Sequence, residues 1–112
     1  TQLFFDAADY FRYLEQVRAV GIDLPVIPGI MPITNVSQIE RFTTMCGARI
    51  PAPLRAILEP IRAEEAAVVA AGIDWATEQC QTLLDGGAPG IHFYTLNRSH
   101  STRIIYERLR AA

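Results

Sequence analysis

The stretch Ile91-His92-Phe93-Tyr94-Thr95-Leu96-Asn97-Arg98 decides how the rest of the chain is read. An apolar run follows the turn residues Gly86, Gly87, Pro89 and Gly90 and ends abruptly in a polar cluster. Phe93, Tyr94 and Leu96 have the bulk of a strand covered on both faces, so the pattern predicts a buried strand with Arg98 where it passes into the next loop. In open sheets and barrels built from β-α units, that carboxyl end is where ligands are held.

Working outward, the segment before this strand reads as a long helix from about Ala63 to Leu84, with Ala66, Val69, Ile73, Ala76, Cys80 and Leu83 as its buried stripe. Gly72 weakens that helix by roughly 1 kcal/mol relative to alanine unless close packing requires it. Pro51, Pro53 and Pro60 break Ile50–Arg62 into short helical turns, Leu54–Leu58 first among them. After Arg98, Ser99 or Ser101 starts a last helix. Its Ile105 and Leu109 can dock on the sheet, and Arg103, Glu107, Arg108 and Arg110 form its solvated side.

Thr1–Phe5 reads as a first strand. Asp6 is placed to cap the following helix, whose stripe is Tyr10, Phe11, Leu14 and Val17, and Gly21 stops it. Leu24–Ile27 is the second strand candidate, and Pro28-Gly29-Ile30-Met31-Pro32 is expected to leave the sheet as a stiff loop. Thr34, Asn35 or Ser37 can cap the next helix, which carries Ile39, Phe42, Thr43 and Cys46 on one side and ends at Gly47. The resulting order is strand, helix, strand, helix, extra helix, strand, helix, which argues for parallel strands joined by crossovers. Three strands alone leave two open edges. A closed barrel of about 250 residues removes them, with this chain as its final part. The opening Thr1, with no initiator Met, points the same way: it suggests a start inside a strand of a larger protein, a trimmed first strand being the alternative.

With 112 residues, half of them hydrophobic, the chain can bury one modest core. A formal charge of -2 and a pI near 5.6 leave no broad electrostatic footprint for nucleic acid or an acidic membrane surface. No apolar run approaches the roughly 20 residues of a membrane span and no secretory leader opens the chain, so the expected location is the cytoplasm. Cys46 and Cys80 lack metal or redox spacing and read as small core residues; His92 and His100 have no paired-ligand context, so no metal site is expected.

Three polar groups are expected near the carboxyl-terminal side of successive strands: Gln2, Gln38 and Arg98. A strand-borne glutamine offers one acceptor and one donor edge, matching a heterocycle or carboxamide, although a lone glutamine more often satisfies neighbouring backbone. Gln38 stands in the first turn of its helix, where a glutamine is more often simply exposed. Arg98 offers a fork for carboxylate or phosphate, or a surface ion pair. Phe42 belongs to a helical stripe, so packing is its first role and stacking a flat ligand the alternative.

Three pieces of sequence, Thr1-Gln2-Leu3-Phe4-Phe5-Asp6, then Pro28-Gly29-Ile30-Met31-Pro32 with Gln38 and Phe42, and His92-Phe93-Tyr94-Thr95-Leu96-Asn97-Arg98, together resemble the methylenetetrahydrofolate reductase family over essentially the whole chain. The resemblance implies an α/β fold, the last three β/α units of a (β/α)8 TIM barrel. It also implies a flavoenzyme in which NADH or NADPH reduces FAD and 5,10-methylenetetrahydrofolate then receives the hydride. Gln2 matches the position that contacts the pterin and the nicotinamide carboxamide. Gln38 and Arg98 match positions that hold the folate, and Phe42 an aromatic that packs against it. The family's catalytic glutamate, its pterin-facing aspartate and most FAD contacts lie in earlier strands, so this segment holds no catalytic residue and is expected to be inactive alone. Expected partners are the folate substrate, the remainder of the barrel and further copies of the full-length protein, with no nucleic acid and no membrane. Two other readings stay open here: another flavin-dependent β/α barrel of the proline dehydrogenase type, and a non-catalytic binding or assembly module.

Overall fold

The computed structural model describes residues 1–95 and 99–111. Its elements are α1 (Ala7–Ala19), β1 (Gly29–Ile30), α2 (Val36–Cys46), α3 (Ala52–Leu58) followed by a 3-10 turn (Glu59–Ile61), α4 (Glu65–Asp85), β2 (His92–Phe93) and α5 (His100–Ala111). The fold is therefore mixed α/β. β1 and β2 pair in parallel, Gly29 opposite His92 and Ile30 opposite Phe93, and Leu3 forms a parallel bridge to Gly29 on the other side of β1.

Parallel pairing follows from how β1 divides its carbonyls. His92 N–H donates to Pro28 at 2.9 Å and Tyr94 N–H to Ile30 at 2.8 Å, while the Thr1 amino group reaches the Ile27 carbonyl at 2.7 Å on the opposite edge. The central strand thus lies at Gly29–Ile30, not at Leu24–Ile27 as the apolar run suggested. Leu24 is 71% exposed and Ile27 46%. Proline lacks a donor but keeps its carbonyl, so Pro28 can still accept from β2, and the Pro-Gly-Ile segment stays in the sheet.

Side chains alternate across the sheet as strand geometry requires. Phe4, Ile30 and Phe93 face a core shared with Tyr10 of α1, Ile73, Ala76, Cys80 and Leu83 of α4 and Ile105 of α5. Leu3, Met31 and Tyr94 face a second core with Ile33, Val36 and Ile39 of the β1–α2 region, Leu54 and Leu58 of α3 and Val68 of α4. Each fully buried aliphatic or aromatic side chain contributes about 1.5–3 kcal/mol, so the two layers hold a sheet whose own ladder is short.

The helix ends follow local chemistry. Asp6 caps α1 by accepting from Ala8 N–H at 3.0 Å, and Asn35 caps α2 by accepting from Gln38 N–H at 2.9 Å. Gly21 and Gly47 end α1 and α2 with φ of 85° and 71°. The single stripe expected for α4 is too simple. Ala66 is exposed, and the buried set is Val68, Gly72, Ile73, Ala76, Gln79, Cys80 and Leu83, because this helix packs against both cores. Two of its side chains hold the opening segment: Trp75 Nε1 donates to the Phe5 carbonyl at 2.8 Å and Gln79 Nε2 to the Phe4 carbonyl at 3.0 Å. β2 is also less covered than expected. His92 is exposed and Phe93 and Tyr94 are half-buried, since β2 pairs on one side only among the described residues.

α5 docks chiefly on α4, with Ile105 fully buried, Leu109 half-buried and Arg108 paired to Asp74 at 2.7 Å. Cys80 is buried, as expected, whereas Cys46 is half-buried. Burial pushes the Cys80 thiol up to about 12. A raised pKa means that the fold favours the protonated thiol, so this contribution is complete below the unfolded thiol's range near about 8.5 and is lost as pH climbs toward the folded value. A maleimide at mildly alkaline pH should therefore label Cys46 and spare Cys80 until the protein unfolds, read by mass spectrometry of the native and denatured protein. Equal labelling of both in the native state would refute the burial.

Candidate active site

Beyond the carboxyl ends of β1 and β2 lies a crevice of about 170 Å³. One wall is Met31, Pro32 and Thr34, which leave β1, with Gln38 from α2 and Glu65 and Val69 from α4. The other is Tyr94 and Thr95 after β2 and His100 and Ser101 at the start of α5. The Asn35 cap sets Gln38 in the first turn of α2, where its half-buried side chain joins this lining. Glu65 enters from the first turn of α4, a position favourable to a carboxylate because of the helix dipole.

Gln2 is exposed and lines a separate cleft of about 440 Å³ with Leu3, Phe4, Asp9, Tyr10, Tyr13 and the Cys46–Arg49 turn. It precedes the paired residue Leu3, so it stands at the amino side of its strand contact and not at the carboxyl side. Gln2 and Gln38 accordingly line different clefts that share no residue. Phe42 is half-buried and packs on the core of Leu3, Met31, Val36 and Ile39. Arg98 lies outside the described residues.

Charged groups brace the elements around both clefts. Arg49 reaches Asp6 at 2.9 Å and Asp9 at 3.4 Å, tying the α2–α3 turn to the start of α1, and its pKa is raised first by Asp9 and then by Asp6. Glu40 of α2 pairs with Arg62, and Arg62 with Glu59 at 3.1 Å, so α2 is tied to the 3-10 turn. These pairs are solvent-facing and orient more than they stabilise. Tyr10 donates from its hydroxyl to the Val26 carbonyl at 2.7 Å, and burial raises its pKa.

The arrangement can recognise polar edges, and its carboxylate and imidazole lining groups are Glu65 and His100 in the crevice and Asp9 in the Gln2 cleft. Asp9, the one carboxylate in the Gln2 cleft, is held by Arg12 at 3.4 Å and by Arg49. The crevice beyond β1 and β2, at about 170 Å³, falls below the roughly 300 Å³ of common ligand pockets, whereas the Gln2 cleft, at about 440 Å³, falls within that range. Of the crevice lining, sequence reasoning singled out Gln38 alone as a site residue; Glu65 and Tyr94 are among those it missed, and a Glu-Glu pair at a helix start was the available signal for the first.

A profile of the methylenetetrahydrofolate reductase family matches residues 1–110. The chain is 44% identical over 97 residues to methylenetetrahydrofolate reductase (NADH) 1 of Arabidopsis thaliana, covering 87% of this chain and 16% of that protein. It is 34% identical over 109 residues to methylenetetrahydrofolate reductase 1 of Schizosaccharomyces pombe, covering 97% and 18%. It is 33% identical over 109 residues to the 5,10-methylenetetrahydrofolate reductase of Escherichia coli, covering 97% and 37%. The chain thus spans about a sixth of the length of the plant and yeast relatives and just over a third of the bacterial one. With a match that runs through both clefts and all five helices, the chain belongs to the methylenetetrahydrofolate reductase family.

Proposed function

We propose that this chain forms the last three β/α units of a (β/α)8 barrel in an enzyme that reduces 5,10-methylenetetrahydrofolate to 5-methyltetrahydrofolate with NADH or NADPH. The observation that carries this reading is the family match over residues 1–110. Parallel pairing of β1 and β2, with Leu3 bridged in parallel to β1, is compatible with it. In this reading the chain contributes binding and orientation. Gln2 presents an amide to the pterin and, in the other half-reaction, to the nicotinamide carboxamide, and since its cleft shares no lining residue with the Gln38 crevice, one bound folate has to reach across both. Gln38 and Arg98 hold the folate, Arg98 on a tail carboxylate, and Phe42 packs beside the bound substrate. FAD, the catalytic acid and the remaining wall come from sequence outside this chain, so the segment alone is inactive. The full-length protein is cytoplasmic and assembles with copies of itself.

The direct test is NAD(P)H-dependent reduction of methylenetetrahydrofolate by the full-length protein; absence of that turnover in a folded, flavin-loaded preparation would overturn the reading. Gln2→Leu in that protein is expected to lower folate kcat/KM by about tenfold, the scale of a lost hydrogen bond or two, with little change in Tm. Arg98→Ala is expected to raise the folate KM. A comparable effect on a substrate lacking the glutamate tail would count against the carboxylate role.

A further inference from the structure

The Tyr94 hydroxyl donates to the Thr1 carbonyl at 2.6 Å, and that carbonyl belongs to the peptide unit whose nitrogen is Gln2. Tyr94 follows β2 and Thr1 precedes Leu3, so the bond spans the whole width of the sheet and passes over β1. It can do so because the residue beneath is Gly29. A Cβ there would meet the Tyr94 ring at 2.6 Å and the Thr1 carbonyl oxygen at 2.6 Å. Thr1 is held a second time: Gly29 N–H donates to its hydroxyl at 2.9 Å. His92, two residues earlier, packs edge-on against the Tyr94 ring, centroids 4.8 Å apart. Downstream of Gln2, the Phe4 and Phe5 carbonyls are taken by Gln79 and Trp75. The Gln2 backbone is therefore pinned on both sides while its side chain stays exposed.

We propose that Tyr94 is a positioning residue: its hydroxyl, crossing the notch at Gly29, fixes the peptide that presents the Gln2 amide. The role given to that amide rests on the folate-reductase reading above; the brace itself does not. A fixed backbone leaves the amide fewer orientations to lose on binding, and loss of the brace acts on affinity before it acts on chemistry. Gly29 takes the same role from the other side, since any side chain there lifts the ring off Thr1.

The experiment uses the full-length protein and Tyr94→Phe, which keeps the ring and removes one oxygen. Hydrogen–deuterium exchange is expected to rise in the peptide covering Thr1–Phe5, with no rise in α4. The folate KM is expected to rise roughly threefold to tenfold, the factor one neutral hydrogen bond represents, with kcat for the NAD(P)H half-reaction changed less. In a Gln2→Leu background the same change should add little, because the group it positions is gone. Gly29→Ala, which displaces the ring without removing the hydroxyl, should reproduce both effects. Unchanged exchange at Thr1–Phe5 would overturn the brace. Faster exchange with a KM effect that multiplies fully on Gln2→Leu would overturn the link to the amide. Faster exchange in a protein that never reduces methylenetetrahydrofolate supports the brace and refutes the proposed substrate.

Discussion

Replacing Gly72 by valine is expected to destabilise the fold by ~3 kcal/mol, the upper part of the range for overpacking. A Cβ on Gly72 would lie 2.2 Å from the Ile33 carbonyl oxygen and 3.0 Å from its carbon, so the backbone of α4 rests on the chain leaving β1 with no side chain between. Ile33 is itself 1% exposed and cannot give way into solvent. In an exposed helix, glycine to alanine would add about 1 kcal/mol of stability. Here the clash outweighs that gain, and alanine too is expected to be destabilising. Urea unfolding followed by the fluorescence of Trp75, the one tryptophan in the chain, checks both variants. A Gly72→Ala midpoint equal to or above the parent's would show that helix and loop are not in contact.

Phe5→Ala should cost about 3–5 kcal/mol, the usual penalty for deleting a buried aromatic ring. Phe5 is 2% exposed and packs in the core that joins the opening segment to α2, α3 and α4. Its carbonyl accepts from Trp75, so collapse around the cavity is opposed by a hydrogen bond that holds the backbone in place. Tyr13→Ala, at a residue 51% exposed on α1, is the matched control and should stay within about 0.5 kcal/mol of the parent. If the two variants melt alike, the division between inside and outside drawn from the structure is wrong.

Much of this was legible in the sequence, for local reasons. Asp6, Gly21 and Gly47 act on neighbours a few residues away, so the bounds of α1 and the end of α2 could be read locally, while the start of α2 was narrowed to Thr34, Asn35 or Ser37, of which the structure uses Asn35. The prolines around α3 and the apolar spacing of α5 worked the same way. What escaped depended on residues far apart in the chain. Leu24–Ile27 has the composition of a strand, but pairing is decided by partners at Leu3 and His92, and these select Gly29–Ile30. Nothing near Gln79 marks it as buried; its partner is Phe4, 75 residues away. For the candidate site, Gln38 was placed correctly in the first turn of its helix, whereas the cleft that Gln2 enters depends on the Cys46–Arg49 turn folding back over α1, held by Arg49 on Asp6 and Asp9.

The bare contact between Gly72 and Ile33 also constrains motion. Without a cushion of side chain, helix and loop must travel as one body, so Thr34, Gln38, Glu65 and Val69 form a single stiff jaw of the crevice. The opposite side of the crevice is carried by His100 and Ser101 in the first turn of α5, a helix fastened to α4 at its middle by Ile105 and farther along by Arg108 on Asp74.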